Sequence, residues 1–491
     1  MGMFKTAMTG AAWTTVSTVV RSIVSLLQVS ILTRFLDKAD FGIVAIAVLF
    51  IGFSSIFLDL GLSIGIMHKQ EISRNEYSSL FWLNIFTGLF LSSLMVLIAP
   101  IISRAYNDPQ LTPIIQLLSL NMLFASIGNQ HRTVQQKKLR FKLISIVEIT
   151  SSVLTIVVAV STAYAGFGVY SLVYSSLFAT LCPNILFLII GLSKDNNIYF
   201  HFTWKDTFPF LKIGAYNIAG QTLDYFAREV DIIIISATLG KESLGIYSLC
   251  KKLVTALYSA VMPIYNKVLV PLMAKLQNDV NNARKVTYDV IESVAITNFP
   301  IFLLLAVFPG FIIHFLYGDD YMNGIYVLSI LAVHYAFLSP GSPASALLVA
   351  FGRTDRGFYW TICRIIIYAV FSYIGALFSI EGMVAGIFVG SLLSAPLGWV
   401  ITIKPIIGGD FWGYFNKKFY PFVISIIISL PFFWLFHQET RMWMVVIAAV
   451  VYIICSVIIA SVLFREAYIV QKGKELLKRF MKFNIINNER H

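Results

Sequence analysis

The chain has 491 residues, of which 58% are hydrophobic and 13% charged, with a formal net charge of +12. A soluble domain carries about 25% charge, so composition excludes a soluble protein and points to a polytopic membrane protein. The basic surplus does not point to nucleic acid as a partner: Lys and Arg sit in short loops between apolar runs and in the tail after Phe464, the positive-inside pattern.

In chain order, runs of roughly 20 apolar residues recur, each long enough to cross a ~30 Å hydrocarbon core. About fourteen helices are predicted, at 11–35, 41–66, 78–102, 113–130, 143–164, 168–192, 208–238, 242–271, 287–309, 322–350, 358–378, 381–403, 419–436 and 443–464. With the N-terminus inside, about 27 Lys and Arg fall in cytoplasmic loops and the tail and about five in outer loops, so both termini are expected in the cytoplasm. The strongest basic loop is "HRTVQQKKLRFK", His131 to Lys142. The four cysteines, Cys182, Cys250, Cys363 and Cys455, lie far apart in apolar spans and read as packing residues, with neither metal spacing nor a disulfide framework. No Walker-type phosphate loop is present, so this chain by itself is not an ATP-driven pump.

The sequence repeats itself. "TRFLDKADFGIVAIAV" from Thr33 aligns with "SATLGKESLGIYSLCK" from Ser236, placing Lys38 on Lys241, Gly42 on Gly245 and Ile43 on Ile246. "YNDPQ" at Tyr106 is echoed by "YGDDY" at Tyr317, "LLSL" at Leu117 by "VLSI" at Val327, and "GVYSLV" at Gly168 by "GMVAGI" at Gly382. The order holds across six spans at an offset of about 203 to 214 residues. Six is even, so the copies insert in the same orientation, as parallel repeats related by an axis along the membrane normal. The expected fold is an all-α integral membrane protein: two parallel six-helix lobes, 1–195 and 196–405, around a central cavity, then two additional transmembrane helices in 406–464 and a basic cytoplasmic tail, 465–491.

Several stretches carry a family resemblance: "ILTRFLDKADFGIVAIA", "DLGLSIGIM", "QQKKLRFKLISIVEI", "AGFGVYSLV", "ATLGKESLGIYSLCKK", "LYGDDY" and "VAFGRTDRGF". Through them the chain resembles the bacterial polysaccharide flippases of the O-antigen and colanic-acid exporter type, within the multidrug/oligosaccharidyl-lipid/polysaccharide exporter superfamily, over about residues 10 to 403. The resemblance implies a protein of the bacterial cytoplasmic (inner) membrane. It would move a polyprenyl-pyrophosphate-linked oligosaccharide from the cytoplasmic to the outer leaflet for surface polysaccharide biosynthesis, among membrane lipids and beside other polysaccharide-assembly proteins. It implies a transporter rather than an enzyme, with no catalytic residue, metal or organic cofactor. The motifs mark the family and not the sugar.

Ionisable groups within spans cost at least ~2.5–3.5 kcal/mol at a helix centre and are functional candidates. On the first span Ser17, Arg21, Ser25 and Gln28 share one helix face; on the seventh, Asp224, Arg228 and Asp231 form a similar stripe. The 203-residue offset sets Arg21 opposite Asp224 and Gln28 opposite Asp231, so both repeats carry a polar stripe at equivalent positions. Lys251, with Lys252 beside it, and Arg364 add cations on the eighth and eleventh spans; Asp59, Glu148, Glu292 and His334 are weaker candidates. Pyrophosphate calls for cationic donors, and the planar guanidinium fork matches its oxygens. Arg21, Gln28, Arg228, Lys251 and Arg364 are therefore the candidate substrate-binding residues, and Asp224 and Asp231 are candidates for binding a coupling Na⁺ or proton or for partnering the cations. The plainer readings are an i,i+4 ion pair between Asp224 and Arg228, lysines snorkelling to an interface, and a packing role for His334. Two rival functions remain: a cation-coupled drug antiporter of the same superfamily, which calls for an acidic cavity, and a membrane glycan polymerase, which calls for a large catalytic outer loop.

Overall fold

The computed structural model describes residues 2–69, 71–194 and 198–464, together with Ala467 and Gln471. The basic tail expected at 465–491 otherwise lies outside the described residues. Helices follow one another along the chain: α1 (Gly2–Leu32), α2 (Lys38–Ser55), α3 (Leu62–His68), α4 (Arg74–Ala105), α5 (Leu111–Lys137), α6 (Phe141–Tyr164), α7 (Tyr170–Lys194), α8 (Trp204–Thr238) and α9 (Gly240–Lys275). They continue with α10 (Val280–Val307), α11 (Pro309–Leu316), α12 (Ile325–Leu338), α13 (Ser342–Ala350), α14 (Thr354–Ala376), α15 (Ile380–Gly398), α16 (Lys404–Ile407), α17 (Phe411–Phe436) and α18 (Met442–Leu463). The chain is all-α, with no strand among the described residues. In hydrocarbon every backbone polar group must bond within its own segment, and continuous apolar sequence without strand alternation does so as helix.

Among the described residues, twelve helical segments are long and apolar enough to cross a membrane, which makes this a multi-pass membrane protein. The exact count of fourteen is not reached among the described residues: α8 and α9, read as the seventh and eighth, are not among the twelve. In α8 charge is dense, with Asp224, Arg228, Glu229 and Asp231 within about two turns. A second difference concerns the basic loop at 131–142. The helix α5 continues to Lys137, so His131 and Arg132 are helical, and the turn itself is Lys138–Arg140, with Leu139 at φ 56°. Polar side chains are tolerated there because they are bonded: Gln130 Nε2 donates to the Tyr77 carbonyl (2.9 Å), and Tyr77 Oη lies 2.6 Å from His131 Nδ1.

Two expected spans are broken. The second splits into α2 and α3 around 56–61, where Leu60 (φ 47°) and Gly61 (φ 72°) adopt left-handed backbone. Asp59 bridges the break, accepting from Ser63 N (3.1 Å), Ser63 Oγ (2.6 Å) and Asn129 Nδ2 (3.1 Å). The tenth splits into α12 and α13 at a 3₁₀ turn, Ser339–Gly341, set by Pro340 and Pro343.

The chain divides into two compact units. The first holds Met1–Ala256, Leu316–Tyr321 and Tyr368–Gly382; the second holds Leu257–Phe315, Met322–Ile367 and the chain from Met383 onward. In the first, α5 is the central helix, packed on α2, α4 and α7, while α1 packs on α6 and α3 on α8. In the second, α10 is central, packed on α12 and α17, and α18 packs on α17.

Within the first unit the repeated motif meets its own copy. A Cβ placed on Gly42 would lie 1.9 Å from the Lys241 carbonyl oxygen, and one on Gly245 would lie 1.9 Å from the Lys38 carbonyl oxygen. Lys38 and Lys241, like Gly42 and Gly245, are equivalent under the repeat, so the contact is reciprocal. Only glycine permits two helix starts to approach this closely. The "YND" and "YGDD" segments form turns around the same region. Asp108 accepts from Lys241 Nζ at 2.8 Å, Tyr321 Oη donates to the Leu36 carbonyl (2.8 Å) and Tyr317 Oη to the Leu249 carbonyl (3.1 Å).

Candidate substrate-binding site

The long helix α1 presents Ser17 and Arg21 on one face, and both reach the same acceptor on α6. Glu148 Oε2 accepts from Arg21 Nη1 (2.8 Å) and Ser17 Oγ (3.3 Å). Its other oxygen accepts from Arg132 of α5, through Nε (3.1 Å) and Nη2 (2.8 Å). Three helices thus bring two guanidinium groups onto one carboxylate, a surplus of one positive charge. The Glu148 side chain is 14% exposed, whereas those of Arg21 and Arg132 are 49% and 41% exposed. The carboxylate is enclosed and the arginines keep an open side. An arginine has five N–H donors; here one from Arg21 and two from Arg132 are used on Glu148, so donors remain for a further anion.

This arrangement alters the sequence reading of Arg21. No acidic residue accompanies it on its own helix, but Glu148, a weaker candidate by sequence, supplies one from α6. Arg132 was missed because its stretch reads as a basic loop. The available signal was the absence of Gly or Pro between Gly128 and Lys137, which lets the fourth helix run on. Gln28, two turns beyond Arg21, donates to Ser175 Oγ of α7 at 3.1 Å, a contact between helices.

The stripe on α8 is arranged in the opposite way. Lys251 Nζ donates to Asp231 Oδ1 (2.9 Å), Glu229 Oε2 (3.0 Å) and the Arg228 carbonyl (2.7 Å). An ammonium has three donors, and these acceptors take all of them. Tyr247 Oη also donates to Asp231. The Lys251 side chain is only 12% exposed, so this is a closed fastening between α8 and α9. Asp231 is a charge partner. Asp224 and Arg228 form no ion pair with each other among the described residues, and both side chains are exposed.

Arg364 lies in the second unit, on α14. Its Nε is buried without a hydrogen-bond acceptor, and no carboxylate pairs with it among the described residues. In the same unit, the adjacent lysines of α17 differ. Lys417 pairs with Glu292 (2.9 Å), while Lys418, 7% exposed, sets its Nζ 3.5 Å from the centre of the Phe337 ring. His334 is buried on α12 beside Tyr335. None of the four cysteines forms a disulfide among the described residues.

Known proteins agree with this architecture. The chain is 28% identical over 440 residues to the lipopolysaccharide biosynthesis protein WzxC of Escherichia coli (strain K12), covering 87% of each chain. It is 25% identical to the teichuronic acid biosynthesis protein TuaB of Bacillus subtilis (strain 168), over 82% of this chain and 80% of TuaB. In fold it is similar to the lipid II flippase MurJ in an inward closed conformation, with a TM-score of 0.72 at 14% identity, covering 92% of this chain and 98% of that one. An inward-facing multidrug resistance MATE family transporter of the MOP superfamily follows at 0.62 and 15% identity, over 81% and 94%. Residues 31–326 match the family described as polysaccharide biosynthesis protein, and with more than half of its length inside that match the chain belongs to this family.

Proposed function

We propose that this protein is a flippase that carries a polyprenyl-pyrophosphate-linked oligosaccharide from the cytoplasmic to the outer leaflet of a bacterial inner membrane, with both termini in the cytoplasm. The observation that carries the reading is the Arg21–Glu148–Arg132 cluster, a cationic surplus with free donors among helices of a polysaccharide-biosynthesis family member. Each sugar hydroxyl stripped of water without a partner costs roughly 2–7 kcal/mol, so unaided crossing is closed to such a head group. A polar path with a pyrophosphate anchor lowers that barrier. Arg21 and Arg132 serve as the anchor, Gln28 and the exposed Arg228 extend the polar path in the first unit, and Arg364 offers a further unpaired cation in the second. The prenyl chain stays in lipid. The duplicated six-helix lobes, 1–195 and 196–405, supply alternating access, and the two helices of 406–464 lie outside the duplication.

An inside-negative potential favours outward movement of an anion by ~2.3 kcal/mol per charge per 100 mV, and a Na⁺ or proton gradient is the alternative drive. Asp231 is engaged by Lys251 and Tyr247, so a coupling cation would use Asp224. Collapsing the potential and each gradient separately in sealed vesicles distinguishes the three. The protein works among membrane lipids and alongside other polysaccharide-assembly proteins.

The deciding experiment measures access of an external reagent to a synthetic lipid-linked oligosaccharide in proteoliposomes. Protein-dependent access that is lost in Arg21→Ala supports the reading. Dye efflux without oligosaccharide access would move the protein to the drug-antiporter branch.

A further inference from the structure

We propose that Glu148 is a stand-in for the substrate's anion. It occupies the Arg21–Arg132 clamp when the protein is empty, yields the clamp to a pyrophosphate, and by competing for the two arginines sets the affinity at which the lipid is held and released. This inference rests on the flippase reading above.

The geometry separates a competing carboxylate from a supporting one. Glu148 divides its two oxygens between the two guanidiniums: Arg132 holds Oε1 through Nε and Nη2, and Arg21 holds Oε2 through Nη1. That is the contact a phosphate would make. A carboxylate brings one negative charge and two oxygens, whereas a pyrophosphate brings more of both, so it outcompetes Glu148 for the same forks. This competition prevents capture from becoming too tight. A transporter must bind favourably enough to load and weakly enough to unload, and an internal competitor of lower charge provides this balance. Ser17, the remaining donor at 3.3 Å, also holds Glu148 at the clamp.

The two roles predict opposite signs for one substitution. The full-length chain, purified in detergent, is titrated with farnesyl diphosphate and with inorganic pyrophosphate. The same variants are reconstituted to measure kcat and KM for translocation. Glu148→Gln is expected to bind farnesyl diphosphate on the order of tenfold more tightly and to lower kcat and KM together, because release becomes slow. Ser17→Ala, which leaves both arginines and the carboxylate in place, should shift affinity in the same direction by less, and guards against misfolding of the first variant. Unchanged or weaker binding in both variants overturns the proposal and makes Glu148 a structural support. Tightening toward inorganic pyrophosphate alone overturns the lipid assignment and leaves a site for a free anion. If Arg21→Ala and Arg132→Ala weaken binding while Glu148→Gln does not tighten it, this inference fails and the flippase reading stands. If the wild-type protein binds no farnesyl diphosphate, both fall.

Discussion

The first unit holds two charge clusters that are near mirror images. At Glu148 two arginines share one carboxylate; at Lys251 two carboxylates share one ammonium. Both sit on helices, both join two or more of them, and by sequence each starts from a polar stripe along one helix. They differ in what is left over. Every donor of Lys251 is taken by the protein, so the cluster is closed and its task is to fasten α8 to α9. Arg21 and Arg132 keep donors and half-exposed side chains, so their cluster is open to an external anion. A charge within a span is therefore a poor guide to function until its unused bonding capacity is known.

The sharpest way to break this comparison is to remove the open cluster. Arg21→Ala with Arg132→Ala should cut oligosaccharide translocation by roughly 100-fold, the loss expected from about 3 kcal/mol of charge-assisted hydrogen bonding. The protein's melting temperature should move little, because both arginine side chains are about half exposed. Normal translocation by the double variant would end the distinction between open and closed clusters.

The closed cluster should respond in the other measurement. Lys251→Met strands Asp231 and Glu229 and should cost about 2–3 kcal/mol of stability, less than the ~3–5 kcal/mol of a fully buried pair because Glu229 is partly solvated. Adding Glu229→Gln and Asp231→Asn should restore the thermal melt and most translocation. A triple variant that folds but does not transport would place Lys251 back among the substrate-binding residues.

Gly42→Ala tests a fastening made without charge. The obstructing atom is backbone oxygen at 1.9 Å, which cannot rotate away, so about 1–3 kcal/mol of overpacking strain is expected. Gly245→Ala should give a matching loss at the equivalent position. A large asymmetry between the two, read in parallel melts, would count against the reciprocity of the repeat contact.

The smallest effect belongs to Lys418, a cation with no carboxylate among the described residues and an aromatic face against its Nζ. Lys418→Met keeps the volume and removes the charge, so stability should change by less than about 1 kcal/mol, in the stabilising direction if at all. Loss of translocation in this variant would mark a second functional cation remote from the Arg21 clamp.

Much of the fold was legible because its cause is local. Span length, the absence of alternation and the excess of apolar residues are properties of consecutive residues, and hydrocarbon leaves helix as their solution. The repeat was equally legible, and it singled out Gly42 and Gly245 before any contact between them was visible. The breaks at 56–61 and at Ser339–Gly341 were overlooked inside long apolar runs, because hydropathy averages over the few residues whose backbone turns. Arg132 was misplaced for a related reason: a basic, polar stretch reads as a loop unless its hydrogen-bond partners on other helices are known.

Sequence by itself determined that the chain spans a membrane as helices, that a motif recurs about 203 residues further on, and that Arg21, Arg228, Lys251 and Arg364 are cations set within apolar stretches. Each of these follows from composition and spacing along one helix. Only the tertiary structure decided which cations are spent. Pairing is made between helices far apart in the chain, Arg21 with Glu148 and Lys251 with Asp231, and spacing along the chain carries no information about which faces meet. The unused donors of Arg21 and Arg132 are a property of that meeting, because a guanidinium is free only where the surrounding helices fail to satisfy it.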